Sequence, residues 1–262
     1  MCEINGKEPM LSKNQVKNIN NLHQKKFRAK QALFIAEGPK VVEEFLHDDI
    51  KITEIYGLEK WIERNITMLM KKNCKYTVVD ETELASISAL QTPNEVLAVC
   101  SQTEYQLSYI DKKATLFLYL DGIGDPGNMG TIMRMAEWFG LTQLFCSENC
   151  AEVYNPKVVQ STMGSLARVK TFYVSLEKLK SQLGAKNVLG AALDGENIYK
   201  ASLPDKCILV IGSESHGISE ENLMLLSKRV TIPKANGVHT ESLNAATATS
   251  IILSELFRKS NF

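Results

Sequence analysis

From Thr115 onward, short apolar runs alternate with helix-length segments, and this alternation constrains the fold more than any other feature of the sequence. The runs are Thr115–Leu120, Gln143–Cys146, Lys170–Val174, Val188–Ala192, Cys207–Gly212 and Arg229–Ile232. Between and after them lie helical patterns over Asn128–Phe139, Pro156–Gly164, Leu176–Leu183, Glu220–Ser227 and Leu243–Phe257. Strand and helix in strict alternation predict an α/β fold with a parallel sheet covered on both faces.

The first hundred residues predict a separate, small α/β unit. Leu11–Ala29 reads as a basic helix, followed by strands at Ala32–Ala36, Lys51–Tyr56, Tyr76–Val79 and Val96–Val99. Gly38-Pro39 opens a helix, Leu58–Lys72 carries Trp61, Ile62, Ile66 and Leu69 on one side, and Glu81–Ala89 supplies a further helix. The polar stretch 101–113 reads as a linker, giving domains at 1–100 and 114–262.

Charge is balanced overall, with 30 Lys+Arg against 30 Asp+Glu, so no global field attracts a polyanion. Locally, Lys13, Lys17, Lys25, Lys26, Arg28 and Lys30 form a run without an acid. Such a run suits a nucleic-acid-facing end or a solvated helix face. The six cysteines form no C-x-x-C pair, and Cys146 and Cys150 lack the neighbours of a zinc site. They read as reduced, mostly buried thiols of a cytoplasmic protein. The four histidines (23, 47, 216, 239) are too scattered to imply a metal. Ala114–Leu120 is too short to cross a membrane, and the N-terminus has no signal-peptide core.

Three loops carry chemistry. The first, Asp121-Gly-Ile-Gly-Asp-Pro-Gly-Asn-Met-Gly130, leaves a strand and enters a helix. Gly122, Gly124 and Gly127 spell G-x-G-x-x-G, and Glu148 lies about twenty residues on, as a nicotinamide-dependent oxidoreductase would want. Asp121 and Asp125 would repel a pyrophosphate, and Pro126 removes an N–H donor, so we reject that reading. Asn128 reads as an N-cap or a substrate ligand. Arg134 lies six residues on, about 600° of helix rotation, so the two share a substrate only if the Arg swings round or the first turn is irregular. The second loop, Gly212-Ser-Glu-Ser-His-Gly217, follows a buried strand and reads as a ligand loop or as a plain turn with Ser219 as N-cap. The third runs from Ile232-Pro to Ser242-Leu-Asn244 and ends in a helix of small residues, with Ser242 as N-cap. Small residues there admit a cofactor or tight helix packing equally.

Together, Asp125-Pro-Gly-Asn-Met-Gly-Thr-Ile-Met-Arg134, Gly212-Ser-Glu-x-x-Gly217 and Ile232-Pro…Ser242-Leu-Asn244 resemble the three ordered motifs of the SpoU family of RNA 2′-O-ribose methyltransferases, in the SPOUT superfamily. The resemblance covers roughly residues 115–258, and Asn155-Pro-Lys-Val-Val-Gln-Ser-Thr-Met-Gly164 is similar to the segment after the family's second strand. Phe34-Ile-Ala-Glu-Gly38 and Thr92-Pro…Leu97-Ala-Val99 resemble the accessory RNA-binding domain, more that of rRNA-directed than of tRNA-directed members.

The resemblance implies a C-terminal trefoil knot, an S-adenosylmethionine site at Gly212, Ile232 and Leu243, and a homodimer with its sites near the subunit interface. It implies catalytic positions at Asn128, Arg134, Glu214, Ser242 and Asn244. The family's candidate for activating the hydroxyl is Arg134, yet a guanidinium is a poor base. We expect it to hold phosphate and stabilise a developing alkoxide, with the proton leaving to phosphate or water. His239 is the other candidate base. Ser215 and Glu95 depart from the family, standing where many members have Gly. A non-catalytic RNA-binding protein is the remaining alternative, and the intact Asn128 and Arg134 argue against it.

Overall fold

The computed structural model describes residues 11–237 and 239–261. Cys2 lies outside them. The chain divides into two compact units, residues 1–103 with 154–167, and residues 104–153 with 168–262.

The first unit contains α1 (Lys13–Asn21), α2 (Lys25–Gln31), β1 (Leu33–Glu37), α3 (Pro39–His47), β2 (Ile52–Gly57), α4 (Glu59–Lys71), β3 (Tyr76–Val78), α5 (Glu81–Ile87) and β4 (Val96–Ser101). Its sheet runs β1-β4-β2-β3, with β4 antiparallel to both neighbours and β3 parallel to β2. Reciprocal side-chain caps start two of its helices, Ser12 with Gln15 at α1 and Asp80 with Glu83 at α5. Ile19, Leu22, Ile35, Tyr56, Leu84 and Leu97 share one core.

The single basic helix expected over Leu11–Ala29 is two helices. The chain breaks at Leu22, whose side chain turns into the core, and Gln24 is extended. The break frees the Leu22 carbonyl, and Arg28 Nη1 donates to it at 2.9 Å. Arg28 is therefore 2% exposed and holds the helix junction. It leaves the list of RNA-facing cations, while Lys13, Lys17, Lys25, Lys26 and Lys30 stay exposed. Arg28→Ala is expected to lower stability by about 1–3 kcal/mol, since it strands a buried carbonyl. Lys25→Ala should change it by less than about 0.5 kcal/mol, as surface sites do. Urea unfolding of the two variants checks this.

The second half contains β5 (Leu116–Asp121), α6 (Pro126–Trp138), β6 (Gln143–Cys146), α7 (Pro156–Thr162), β7 (Lys170–Tyr173), α8 (Leu176–Leu183), β8 (Val188–Asn197), β9 (Cys207–Gly212), α9 (Glu220–Leu223), β10 (Lys228–Thr231) and α10 (Ala245–Asn261). Helix α7 groups with the first unit, where it packs on β1 and α3, and Tyr154 stacks 4.7 Å from Phe34. The second unit's six strands are all parallel in the order β10-β8-β9-β5-β6-β7. One face buries Phe117, Tyr119, Phe145, Phe172, Val188 and Ile208. Strand β8 runs on to Asn197, beyond the expected Ala192, because its pairing with β10 jumps from Gly190 to Glu196. Cys100, Cys146, Cys150 and Cys207 are buried free thiols, and Cys74 is half-buried.

Candidate active site

In a parallel sheet the loops at the carboxyl ends of the strands gather at one edge. Strand β5 ends at Asp121, which is 6% exposed and accepts hydrogen bonds from Ser219 N and Ser219 Oγ, both at 2.8 Å. This ties the first loop to the second. Ser219 therefore spends its hydroxyl on Asp121 instead of capping α9. The sequence signal was there, in an acid closing the apolar run Leu-Phe-Leu-Tyr-Leu, but nothing local to it named a partner 98 residues away.

Helix α6 begins one residue after Asp125. Asp125 is its N-cap, Oδ1 accepting from Asn128 N at 2.7 Å, and Pro126 follows in the first turn. Asn128 is therefore not the cap, and its side chain is released for other work. The same geometry disposes of the dinucleotide reading: the Asp125 carboxylate already occupies the positive helix end, and Gly122 N donates to Ser147 Oγ at 2.9 Å.

Asn128, Glu214 and Asn244 meet. Asn128 Nδ2 donates to Glu214 Oε1, and its Oδ1 accepts from Asn244 Nδ2 at 2.8 Å. Asn244 Nδ2 lies 3.4 Å from Glu214 Oε1, and Ala245 N donates to the same oxygen at 3.2 Å. One carboxylate oxygen of the second loop thus gathers donors from α6 and from the start of α10. Asn244 also caps α10, its Oδ1 accepting from Ala246 N at 3.0 Å and Thr247 N at 3.2 Å. The cap expected at Ser242 is thus at Asn244, and Ser242 is exposed.

Arg134 stands apart from this cluster. Helix α6 is regular from Pro126 through Trp138, so Arg134 projects from a different face, exposed and without a partner among the described residues. His239 is exposed and makes no bond to the cluster. Ser215 Oγ sits 2.8 Å from His216 Nδ1, and Glu95 pairs with Arg64, so neither departure from the family enters the cluster.

The second loop is drawn shut by two backbone bonds, Ser213 N to Gly217 O at 3.1 Å and Gly217 N to Ser213 O at 2.8 Å. Around these loops Gly122, Gly124 and Gly217 face open space, with nothing within 4 Å of where a Cβ would stand. Leu243 is exposed and Ile232 half-buried. Backbone laid open beside apolar side chains fits a flat ligand held by main-chain groups. The small residues of α10 serve packing instead: Ala245, Ala246 and Thr249 are buried. A cavity of about 290 Å³ lies elsewhere, lined by groups such as Leu116, Phe139, Cys207, Leu253 and Phe257, and holds none of these residues.

The chain matches the SpoU rRNA Methylase family over residues 115–254 and the MRM3-like substrate binding domain over residues 13–98. It is 28% identical to the 23S rRNA (guanosine(2553)-2′-O)-methyltransferase RlmP of Bacillus subtilis, over 94% of this chain and 97% of that one. A putative RNA methyltransferase of the TrmH family from Porphyromonas gingivalis has 37% identity and a TM-score of 0.81, covering 95% of this chain and 99% of that one. An AdoMet-bound rRNA methyltransferase from Sinorhizobium meliloti has 26% identity and a TM-score of 0.84, covering 95% and 96%.

Proposed function

The chain belongs to the SpoU rRNA methylase family, and from that premise we propose that it methylates a ribose 2′-hydroxyl of ribosomal RNA, in preference to transfer RNA, using S-adenosylmethionine. The observation that carries the reading is the junction of Asn128, Glu214 and Asn244, which brings all three family motifs to one point. The preference for ribosomal RNA rests on the named relative's substrate and on the MRM3-like domain. Mapping 2′-O-methyl positions in ribosomal and transfer RNA from cells with and without this protein tests it. Loss of a methyl from transfer RNA alone would refute the preference, and no change in either would refute the function.

S-adenosylmethionine supplies an electrophilic methyl on a sulfonium. The chain must then align the ribose oxygen and manage its proton. Gly212, Ile232 and Leu243 line the cofactor's place. Glu214, with three donors on one oxygen, fixes the Asn128 amide and the start of α10. Ser242, exposed beside Asn244, lies within the same loop and contacts substrate. Arg134, free at its tip, holds an RNA phosphate and steadies the developing alkoxide. The proton passes to phosphate or water. His239 has no part.

Lys13, Lys17, Lys25, Lys26 and Lys30 contact RNA phosphates, positioning the substrate without reading its bases. The cellular setting is the cytoplasm; among the described residues no helix is long and apolar enough to cross a membrane. The trefoil knot belongs to the same reading. Its support is the sheet order, with β10 at the edge beside β8 while α10 returns to pack on α6.

The working form is a homodimer. Its support within the second unit is Trp138, which is 81% exposed at the end of α6, next to the Phe139–Phe257 pair that joins α6 to α10. We take Trp138 as the anchor of that interface, since Trp leads among the residues that carry binding energy. Trp138→Lys is expected to weaken the dimer by at least about thirtyfold, the scale of a hot-spot aromatic. Sedimentation velocity over a dilution series reads this, and an unchanged dimer would place the interface elsewhere.

A further inference from the structure

We propose that the amino-terminal edge of the second unit's sheet, at the opposite end from the catalytic loops, is a second RNA surface that grips phosphates through Lys113, Lys170, Lys186 and Lys206. The inference rests on the methyltransferase reading only for the identity of the polyanion.

The strand register assembles the row. Val188 pairs with Ile208, so Lys186 and Lys206, each two residues earlier, fall side by side. Lys170 opens β7 opposite Gln143 of β6, and Lys112-Lys113 lead into β5. Neighbouring strands are about 4.8 Å apart, so the row spans most of the sheet's width. Alternation puts Lys170 on the same face as Phe172, and Lys206, with its Nζ near the Phe117 ring, reaches the rim of the same apolar core.

Two of the four ammonium groups are held in place. Lys206 Nζ lies 5.6 Å from the Phe117 ring centroid and donates to Lys112 O at 2.6 Å. Lys170 Nζ lies 5.8 Å from the Tyr105 ring. Lys113, Lys170, Lys186 and Lys206 are all exposed, and none is in an ion pair among the described residues. Asp111 and Asp205 are the acids on the same segments, and the Asp111 carboxylate turns back to accept from Lys113 N at 2.9 Å.

Like charges on adjacent strands destabilise a sheet, so a row with an excess of cations over the nearby Asp111 and Asp205 marks a place where counter-charge arrives from outside. The other edge is richer in acid: Asp125, Glu148, Glu214, Glu220, Glu221 and Glu241 are exposed on or just after the catalytic loops, against the exposed Arg134 and Lys234. An enzyme acting on RNA with so acidic a catalytic edge needs cations elsewhere to hold the phosphate backbone. The long polyanion fits the row because its charges repeat along a line.

The test uses the full chain with Lys113, Lys170, Lys186 and Lys206 all changed to Gln, and a fluorescent single-stranded RNA of about 30 nucleotides over a range of salt. The expected result is a Kd raised about tenfold or more at low salt, and a log–log salt slope shallower by up to about 2.8, at roughly 0.7 per phosphate released. The corresponding Lys→Arg variant keeps both Kd and slope. The smaller K186Q/K206Q variant, if the fourfold one folds poorly, gives about half the change in slope. Unchanged affinity and slope in either Gln variant overturn the proposal. Methyl transfer by the parent chain is measured in parallel. A slope that depends on the row without any methyl transfer would leave this surface standing and refute the enzymatic reading, whereas methyl transfer with no such dependence overturns this surface alone.

Discussion

Arg134→Ala is expected to lower methyl transfer about a hundredfold to a thousandfold while S-adenosylmethionine binding stays within about twofold. The reason is where the side chain stands. Arg134 is exposed on α6 and has no partner among the described residues, so truncating it disturbs no packing or cap. What it loses is a charge placed for phosphate and for the developing alkoxide, and removing one such donor costs about 10²–10³ in rate. Arg134→Lys restores little, because one ammonium cannot reproduce the two-pronged guanidinium. Asn128→Ala fails differently. It deletes the donor to Glu214 and the acceptor for Asn244, so loop order and cofactor affinity fall together with the rate. Labelled-methyl transfer and calorimetric binding on the same preparations separate the two patterns. Near-normal turnover of Arg134→Ala would remove the guanidinium from the mechanism.

The alternation of apolar runs and helices was enough to predict the parallel sheet, because a strand buried on both faces leaves a plain mark in sequence. The loops were legible as places, and less so as contacts. Asp125-Pro126 announces a helix start by local chemistry alone, an acid acceptor followed by a residue that lacks the N–H. Of the two readings open for Asn128, the cap misses by three residues, at a helix end where patterns are weakest. The Asn128–Asn244 bond joins residues 116 apart, and the Asp121–Ser219 tie joins residues 98 apart. No periodicity encodes such pairs; the resemblance of motifs brought Asn128 and Asn244 into view, while Ser219 was seen only as a helix cap and Asp121 only as a charge. Arg28 was hidden for another reason. Among five exposed lysines it looked like one more surface cation, whereas a planar guanidinium suits a buried carbonyl far better than an ammonium does.

Gly212→Ala is expected to abolish measurable S-adenosylmethionine binding, raising Kd at least about a hundredfold, even though it adds one methyl group. Gly212 ends β9, paired with Asp121. A Cβ there would stand 2.1 Å from Gly217 C and 2.3 Å from Ile218 N, and both are backbone atoms. A side chain in the way could rotate, but this obstacle is the loop itself. Relief requires opening the two bonds between Ser213 and Gly217, and that moves Glu214 out of the cluster. Overpacking of this kind costs about 1–3 kcal/mol, and here the loop carries the strain in place of the core. Gly217→Ala makes the contrast. Its Cβ would meet nothing within 4 Å, and the penalty is the left-handed backbone at φ +67°, about 1–2 kcal/mol. The loop should stay closed, with Kd raised less than about tenfold. Calorimetry on both variants, with thermal melts to confirm that each folds, decides the matter. If Gly212→Ala binds the cofactor as the parent does, the closed loop is not what shapes the site. If Gly217→Ala is the worse of the two, the open space beside Gly217 sets the affinity more than the closure of the loop does.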